Sequence, residues 1–492
     1  MSLLSLVPAL VTIVVALAWH RVALALFCGV VAGAFVLAGF HPLPALTGLG
    51  HRLFEAFTDV DRLKIVLFIL LIGGLLELIS ASGAYLAFGR WVGTTLRTGR
   101  RSRMAAWGLS ACLFFDDYAN VLIAGSAMRP VTDRNRVPPA LLAYLVDVMA
   151  MLASVVLVST WAAFEGSLMV DAGRELGLKG TLSDFFLAAL PYHFYAYLAI
   201  FLSLLVAWTG RWFGASLDRE TFAGAPEEDL PDGARPAHVL APLLTLVAAA
   251  VGGLFLFGIR ALRAQGEPIT LIRILGAAPS VNILIGATCL AILVAAALLL
   301  KDRVLSHGPM RAHFHRGIQS MVEIGFIVLL ATALSQVGKD LGTGLTIAHA
   351  FDRFLTPATL PCLVFVMALL VTVTTGFSWG AMAILMPVAF QMAAVQGPGL
   401  LPLVSAAVIT GAVAGEHAVP YSEKAVMSAA ACGIPPLYHV RTQAFQTLAT
   451  VAAAAVAFLL AGYRQPLAVA LGLPAAGLLA LHLVLARKAE RD

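Results

Sequence analysis

Ten apolar stretches of membrane-spanning length dominate this chain, near residues 3–19, 22–40, 65–88, 139–164, 183–208, 237–259, 274–300, 317–338, 442–462 and 467–486. Roughly 20 apolar residues at a 1.5 Å rise cross a hydrocarbon core of ~30 Å. The backbone finds no water there, so each stretch must satisfy its own hydrogen bonds as a helix. A length of 492 residues would also allow several soluble domains. Composition removes that reading: 60% of residues are hydrophobic and only 12% charged, too few polar side chains to cover a soluble surface. The first stretch has no basic residue before it, so it reads as a retained span rather than a cleaved signal. The expected location is the inner (plasma) membrane, with multiple passes.

Two regions do not read as simple spans. From Met104 to Met128 the chain carries Phe114-Phe115-Asp116-Asp117-Tyr118-Ala119-Asn120 at its middle, with Arg90, Arg97, Arg100, Arg101 and Arg103 before it and Arg129, Arg134 and Arg136 after it. If both basic flanks are cytoplasmic, the segment enters and leaves on one side, as a re-entrant hairpin with its acidic tip at depth. From about Pro357 to Gln396, Thr374 to Gly380 lie at the middle and the flanks carry little charge, which reads as a second hairpin from the opposite face. Ile69–Leu86 aligns without gaps on Val328–Leu345 at an offset of 259 residues, placing Gly83 on Gly342 and Glu77 on Gln336. The expectation is an all-α polytopic membrane protein, an inverted-repeat transporter of about 11 spans with two re-entrant hairpins.

In that organisation residues 1–64 form N-terminal spans and 65–208 the first repeat, with its hairpin at 104–128. Residues 209–236 form a cytoplasmic linker, and 237–316 connecting spans. Residues 317–462 form the second, inverted repeat, with its hairpin at 357–396, and 463–492 a last span and tail. The loops then place 20 of the 32 Lys and Arg residues inside and 11 outside, with Lys424 alone at membrane depth. That satisfies the positive-inside bias, although Arg260, Arg263 and Arg273 fall outside. The net charge of +5 therefore calls for no nucleic-acid partner. The five cysteines show no metal-ligand spacing and read as small buried residues.

A carboxylate at the bilayer centre costs about 2.5–3.5 kcal/mol on insertion scales. Asp116 and Asp117 are thus expected to face a cation, a proton or a watery cavity, with Tyr118 and Asn120 adding neutral oxygens. The competing reading is that they only cap two half-helices. Asp147 in the next span, followed by Ser159 and Thr160, is a further ion or proton candidate; a plain interhelical hydrogen bond is its alternative. In the second half, Gly415 and Pro420 would break a span between Glu416, His417, Ser422, Glu423 and Lys424. Glu416 and His417 are candidate titrating groups. Lys424 is adjacent to Glu423, so it would pair with Glu416 or with an acid of the first hairpin. Glu77 carries no clear assignment, and His307, His313 and His315 read as solvated loop residues. Gly376-Phe377-Ser378-Trp379-Gly380 fits the G-x-S-x-G pattern, but that motif needs a strand before it and a helix after it, so a membrane-embedded hydrolase using Ser378 is a distant third reading.

Phe115-Asp116-Asp117-Tyr118-Ala119-Asn120, Met128-Arg129-Pro130-Val131-Thr132-Asp133-Arg134 and Leu142-Ala143-Tyr144-Leu145-Val146-Asp147 resemble the signature of NhaC-type Na+/H+ antiporters. Ser159-Thr160-Trp161, the run from Gly376 through Gly380 to Pro387, and His439-Val440-Arg441-Thr442-Gln443 continue the resemblance across about residues 65 to 460. It implies secondary active cation/proton antiport by alternating access, with sodium or another monovalent cation, protons and the bilayer as partners and a homodimer as a conceivable assembly. No cofactor and no enzymatic activity are implied. Ions or protons would bind at Asp116, Asp117, Asn120, Asp147, Ser378 and Glu416, with Na+ at Asp116, Asp117 and Asp147. Coupling or substrate contact would fall to Tyr118, Ser159, Thr160, Gly376, Trp379, Gly380, His417, Ser422, Glu423 and Lys424. Where the family commonly reads Gly-Asp-His-Cys-Ser-Pro-Ile-Ser-Asp-Thr-Thr, this chain has Glu416, Ala418, Val419 and Glu423-Lys424-Ala425. Hydroxyls are lost and an ammonium has arrived, so Lys424 is expected to stand in for one bound cation. Some relatives exchange organic acids, which keeps transport of a small organic anion or amino acid as the second reading.

Overall fold

The computed structural model describes residues 3–19, 21–93, 96–214, 232–266, 277–342, 356–420, 422–485 and 487–488, together with Ile269, Ile274 and Thr346. Most of the expected 209–236 linker and Tyr421 lie outside the described residues. The chain is an all-α polytopic membrane protein; its one sheet among the described residues is a two-residue antiparallel pairing of Arg211–Trp212 with Arg487–Lys488. Among the described residues eight helices are long and apolar enough to cross a membrane, or up to ten if two bent pairs each count as one span. The bent pairs are Pro139–Val155 with Thr160–Glu175, at 47°, and Leu182–Tyr192 with Phe194–Thr209, at 55°. Exposed Leu244, Leu256, Leu293, Leu448, Leu473 and Leu483 lie on the outer spans, as lipid-facing side chains must.

The first hairpin consists of Gly99–Cys112 and Asp117–Arg134, joined at residues 113–116. Asn135, just past its second helix, donates to Ser102 Oγ (2.9 Å) and to the Leu96 carbonyl (3.2 Å) at the start of its first. Both ends therefore meet on one side, and the Phe115–Asp116 tip is the far point. The second hairpin is Leu360–Thr375 and Ser378–Gln396, turning at Gly376 in the left-handed region (φ 74°). A Cβ on Gly411 would lie 2.3 Å from the Phe365 carbonyl, and one on Gly415 2.7 Å from that of Leu369. Helices Leu360–Thr375 and Leu401–Glu416 thus run side by side in one direction at a separation only glycine permits, as in small-xxx-small packing. The Ser378–Gln396 helix connects them and must return antiparallel.

This corrects one detail of the sequence reading. Gly415 does not break its span; the helix continues through it to Glu416, and the described residues of the break are 417–420 and 422. The matching break in the first half, at residues 156–159, contains neither glycine nor proline. The repeat itself leaves close geometric traces. Gly83 and Gly342, aligned at the 259-residue offset, take φ of 66° and 63° in the turns that end Val60–Ala81 and Val322–Asp340. Each break is followed by a serine N-cap: Ser159 Oγ accepts from the Ala162 amide and Ser422 Oγ from the Ala425 amide.

Ion pairs join residues on or beside the ends of different helices, Arg52 with Asp340, Arg174 with Asp59, and Arg235 and His238 with Asp302. His313 is not a solvated loop residue: it lies on the helix His307–Ser320 and bonds Glu77 at 3.0 Å, giving Glu77 a structural partner. Among the cysteines only Cys432 is buried, while Cys112 and Cys289 are exposed and all five are free thiols. Span-like surroundings do not distinguish a core-facing from a lipid-facing position.

Candidate functional site

The two breaks and the two hairpin tips meet. At the first tip, the Thr160 amide donates to the Phe115 carbonyl (3.0 Å) and its hydroxyl to Asp116 Oδ2 (3.1 Å). Asp117 begins the returning helix, buried at 2% exposure, and its Oδ1 has no hydrogen-bond partner. Asn120 spends its amide group on the tip, donating to the Ser110 (2.7 Å) and Leu113 (3.3 Å) carbonyls. Its Oδ1 remains unpartnered. Ser159 is occupied in capping and in donating to the Ala153 carbonyl at 2.5 Å.

At the second tip the Ser378 amide donates to Glu416 Oε1 (2.9 Å), while the Ser378 hydroxyl has no partner. Glu416 Oε2 lies 3.5 Å from Lys424 Nζ, both side chains almost fully buried. Ser422 ties the break together by donating to the Glu416 carbonyl. Trp379 stacks on Phe164 (4.3 Å between ring centres) and meets Trp161 edge-on (5.7 Å), so the second tip rests on the first half's broken helix. Reciprocally, Tyr118 of the first hairpin donates to Glu423 Oε2 (2.6 Å), at the exposed rim. Gly376 shapes the turn and Gly380 is buried in the first turn beyond it. The N-termini of four half-helices, at Asp117, Thr160, Ser378 and Glu423, are thereby gathered around one polar centre.

Asp147 is fully buried and has partners of its own. Its carboxylate accepts from Ser428 Oγ (3.3 Å) and Gln443 Nε2 (3.0 Å), and His439 Nε2 lies 3.2 Å away. His417 stands beside it, with Nε2 3.9 Å from Asp147 and Nδ1 2.7 Å from the Tyr195 hydroxyl. Gln443 also donates to the His417 carbonyl, locking the break to the helix Pro436–Gly462. Among the described residues no group of three or more His, Cys, Asp or Glu side chains is disposed as a metal cage. The centre therefore has two parts, Asp116/Asp117/Glu416/Lys424 at the tips and Asp147/His417/His439/Gln443 behind them. Sequence reasoning singled out the first group and Asp147. It assigned no role to His439, Gln443, Ser428 or Tyr195, although His439, Gln443, Gln446 and Thr450 recur every three or four residues along one face of the helix Pro436–Gly462.

The comparisons fit this architecture. Residues 142–463 match the profile of the Na+/H+ antiporter family. The chain belongs to that family. The match covers the broken helix with Asp147 and the whole second half of the centre; it begins beyond the first hairpin. A relative from Haemophilus influenzae, an uncharacterized protein, is 28% identical over 474 residues, covering 94% of this chain and 91% of its own. Two solved structures share the fold at low identity. The YdaH transporter of Alcanivorax borkumensis, described as having an unusual topology, superposes with a TM-score of 0.61 at 16% identity, over 91% of this chain and 99% of its own. MtrF of Neisseria gonorrhoeae, described as illuminating a class of antimetabolite efflux pumps, does so with a TM-score of 0.59 at 13% identity, over 86% and 85%. This family member is a multi-pass membrane transporter, not an enzyme. The G-x-S-x-G run is accounted for by the hairpin tip, where Ser378 begins a helix after a helix.

Proposed function

We propose that this secondary transporter exchanges a monovalent cation, sodium first, against protons by alternating access. The observation that carries the reading is the charge balance of the centre. Four carboxylates, Asp116, Asp117, Asp147 and Glu416, are at most 4% exposed, against one ammonium, Lys424. The four half-helix N-termini gathered there, each roughly half a positive charge, are matched by the C-termini of the half-helices that end at the same tips and breaks, each roughly half a negative charge, so the helix ends cancel to about zero. Against the single ammonium, three of the four carboxylates are left without a lysine or arginine partner in a place where an unpaired ion costs several kcal/mol. Bound cations and protons both neutralise such carboxylates, and the two compete for the same charge. That competition is the requirement for antiport.

In this reading Asp117, whose Oδ1 is unpartnered, takes the exchangeable ion with the Ser378 hydroxyl and Asn120 Oδ1 as neutral oxygens within the tips. Lys424, held by Glu416, is a fixed positive charge that lowers the number of cations the centre admits. Asp147, His417 and His439 sense the occupancy across the break. Two contacts between the halves support alternating access: the second tip rests on the first half's broken helix, and Tyr118 of the first hairpin on Glu423 of the second half, so rocking one repeat against the other would exchange the exposed side.

The test is proton flux in everted vesicles from a host lacking its own antiporters, read with a pH-sensitive dye as Na+, Li+ and K+ are added in turn. Alkalinisation triggered by a cation and absent in Asp117→Asn supports the proposal. Silence toward all three, with the protein inserted and folded, overturns it and directs the search to small organic anions, for which Lys424 offers the positive contact.

A further inference from the structure

Among the described residues, Glu165 is a fully buried carboxylate that neither the centre nor the ion pairs described above use. It lies on the helix Thr160–Glu175, is 0% exposed, and neither of its carboxylate oxygens has a hydrogen-bond partner. Helices packed against this one carry other ionisable residues, and their observed partners lie elsewhere. Arg62 pairs with Asp171 and Asp59, Glu77 with His313 and Arg316, and Asp340 with Arg52; Asp184 belongs to the capping box of Thr181. Lys64 and Glu323 are likewise on packed helices, and the described residues show no ion pair from either to Glu165. The Ser378–Gln396 helix brings no ionisable side chain at all. An ionised carboxylate without any partner in this setting costs several kcal/mol, a cost that a bound proton removes.

Its position gives that proton a use. Thr160, five residues before it, bonds the Asp116 carboxylate at the first tip. Asp171, six residues after it, lines a polar cavity of about 540 Å³ bounded by Arg62, Arg174, Thr332 and Gln336, on the side that the sequence reading takes as outer. A second cavity of about 250 Å³ reaches inward to Ser167 and Leu182. At 1.5 Å per residue, Glu165 stands ~8 Å along the axis from the tip and ~9 Å from Asp171, between the centre and the outer water.

We propose that Glu165 is a proton-binding site of its own, a relay between the outer cavity and the acidic centre. It takes a proton from water at the cavity and releases it toward Asp116/Asp117, returning to the carboxylate and being reprotonated on the next cycle. The relay rests on the proton-coupled reading above; the proton-binding site itself does not.

Two readouts test it. Dicyclohexylcarbodiimide reacts with a protonated carboxyl in an apolar setting to leave a stable N-acylurea, found by peptide mass spectrometry on the membrane-embedded protein. Adduct on Glu165 that falls as pH is raised from 6 to 9, and is absent in Glu165→Gln, is the expected result. No adduct at any pH overturns the site. In transport, Glu165→Gln should lower exchange about tenfold and flatten its dependence on outer pH, an effect equal to that of about one pH unit of proton supply. Glu165→Asp should restore part of it. Unaltered rate and pH profile in a folded Glu165→Gln protein would overturn the relay. Adduct formation in a wild-type protein that moves no protons would uphold the site while removing both the relay and antiport.

Discussion

Removing the Lys424 ammonium leaves Glu416 buried beside a single hydrogen bond, that from the Ser378 amide. Breaking a buried pair by deleting one partner commonly costs about 3–5 kcal/mol. Here the loss has a ceiling, because the abandoned carboxylate can take a proton instead. Protonating an ordinary glutamate, with a pKa of about 4.3, costs about 3.7 kcal/mol at pH 7 and about 1.6 kcal/mol at pH 5.5. Lys424→Met should therefore destabilise the protein by no more than about 3.7 kcal/mol at neutral pH, and by less than half of that at pH 5.5. The stabilisation from the pair is present at neutral pH and above, and fades as acid neutralises the carboxylate. Glu416→Gln combined with Lys424→Met removes both charges and should recover most of the loss at pH 7. Thermal unfolding of the purified protein in detergent, followed by intrinsic fluorescence at the two pH values, reads all four proteins. A Lys424→Met penalty that is the same at both pH values, or a double variant as unstable as the sum of the singles, would refute the reasoning.

Three further outcomes follow from the same geometry. Asp147→Asn keeps the shape but removes the charge that His439, His417 and Gln443 surround; exchange should fall by at least about tenfold with little change in stability, measured by vesicle flux beside a thermal melt. Ser159→Ala and Ser422→Ala each delete a half-helix N-cap at pseudo-equivalent positions and should each cost about 1 kcal/mol, seen as two similar drops in melting temperature. Gly411→Val forces a side chain against the Phe365 carbonyl and should cost about 1–3 kcal/mol, whereas valine at the open Gly472 should be close to neutral.

The membrane class was legible because apolar length is a direct physical requirement of the bilayer. Asp116 and Asp117 were legible for the complementary reason, since paired acids in an apolar run need a compensating partner. For Lys424, helix geometry excluded the adjacent Glu423 and left Glu416 or an acid of the first hairpin open; the structure shows Glu416 as the partner. The break at residues 156–159 was not legible. Val156, Leu157 and Val158 continue the apolar pattern, and the helix opens there where Thr160 bonds the Phe115 carbonyl 45 residues away. Glu165 escaped notice because it lies one residue past the apolar run ending at 164, where a carboxylate ordinarily marks a loop. His439 and Gln443 sit likewise at the entrance to a span, and their role appears only when Asp147 arrives from the other half.

The most direct test of the central claim is exchange by the purified protein alone, in liposomes enclosing a pH dye. Sodium added outside should alkalinise the lumen as protons leave, the rate should be abolished by Asp117→Asn, and a proton gradient of either sign should drive sodium in the opposite direction. A lumenal pH indifferent to sodium, lithium and potassium, in liposomes bearing correctly folded protein, would contradict cation/proton antiport.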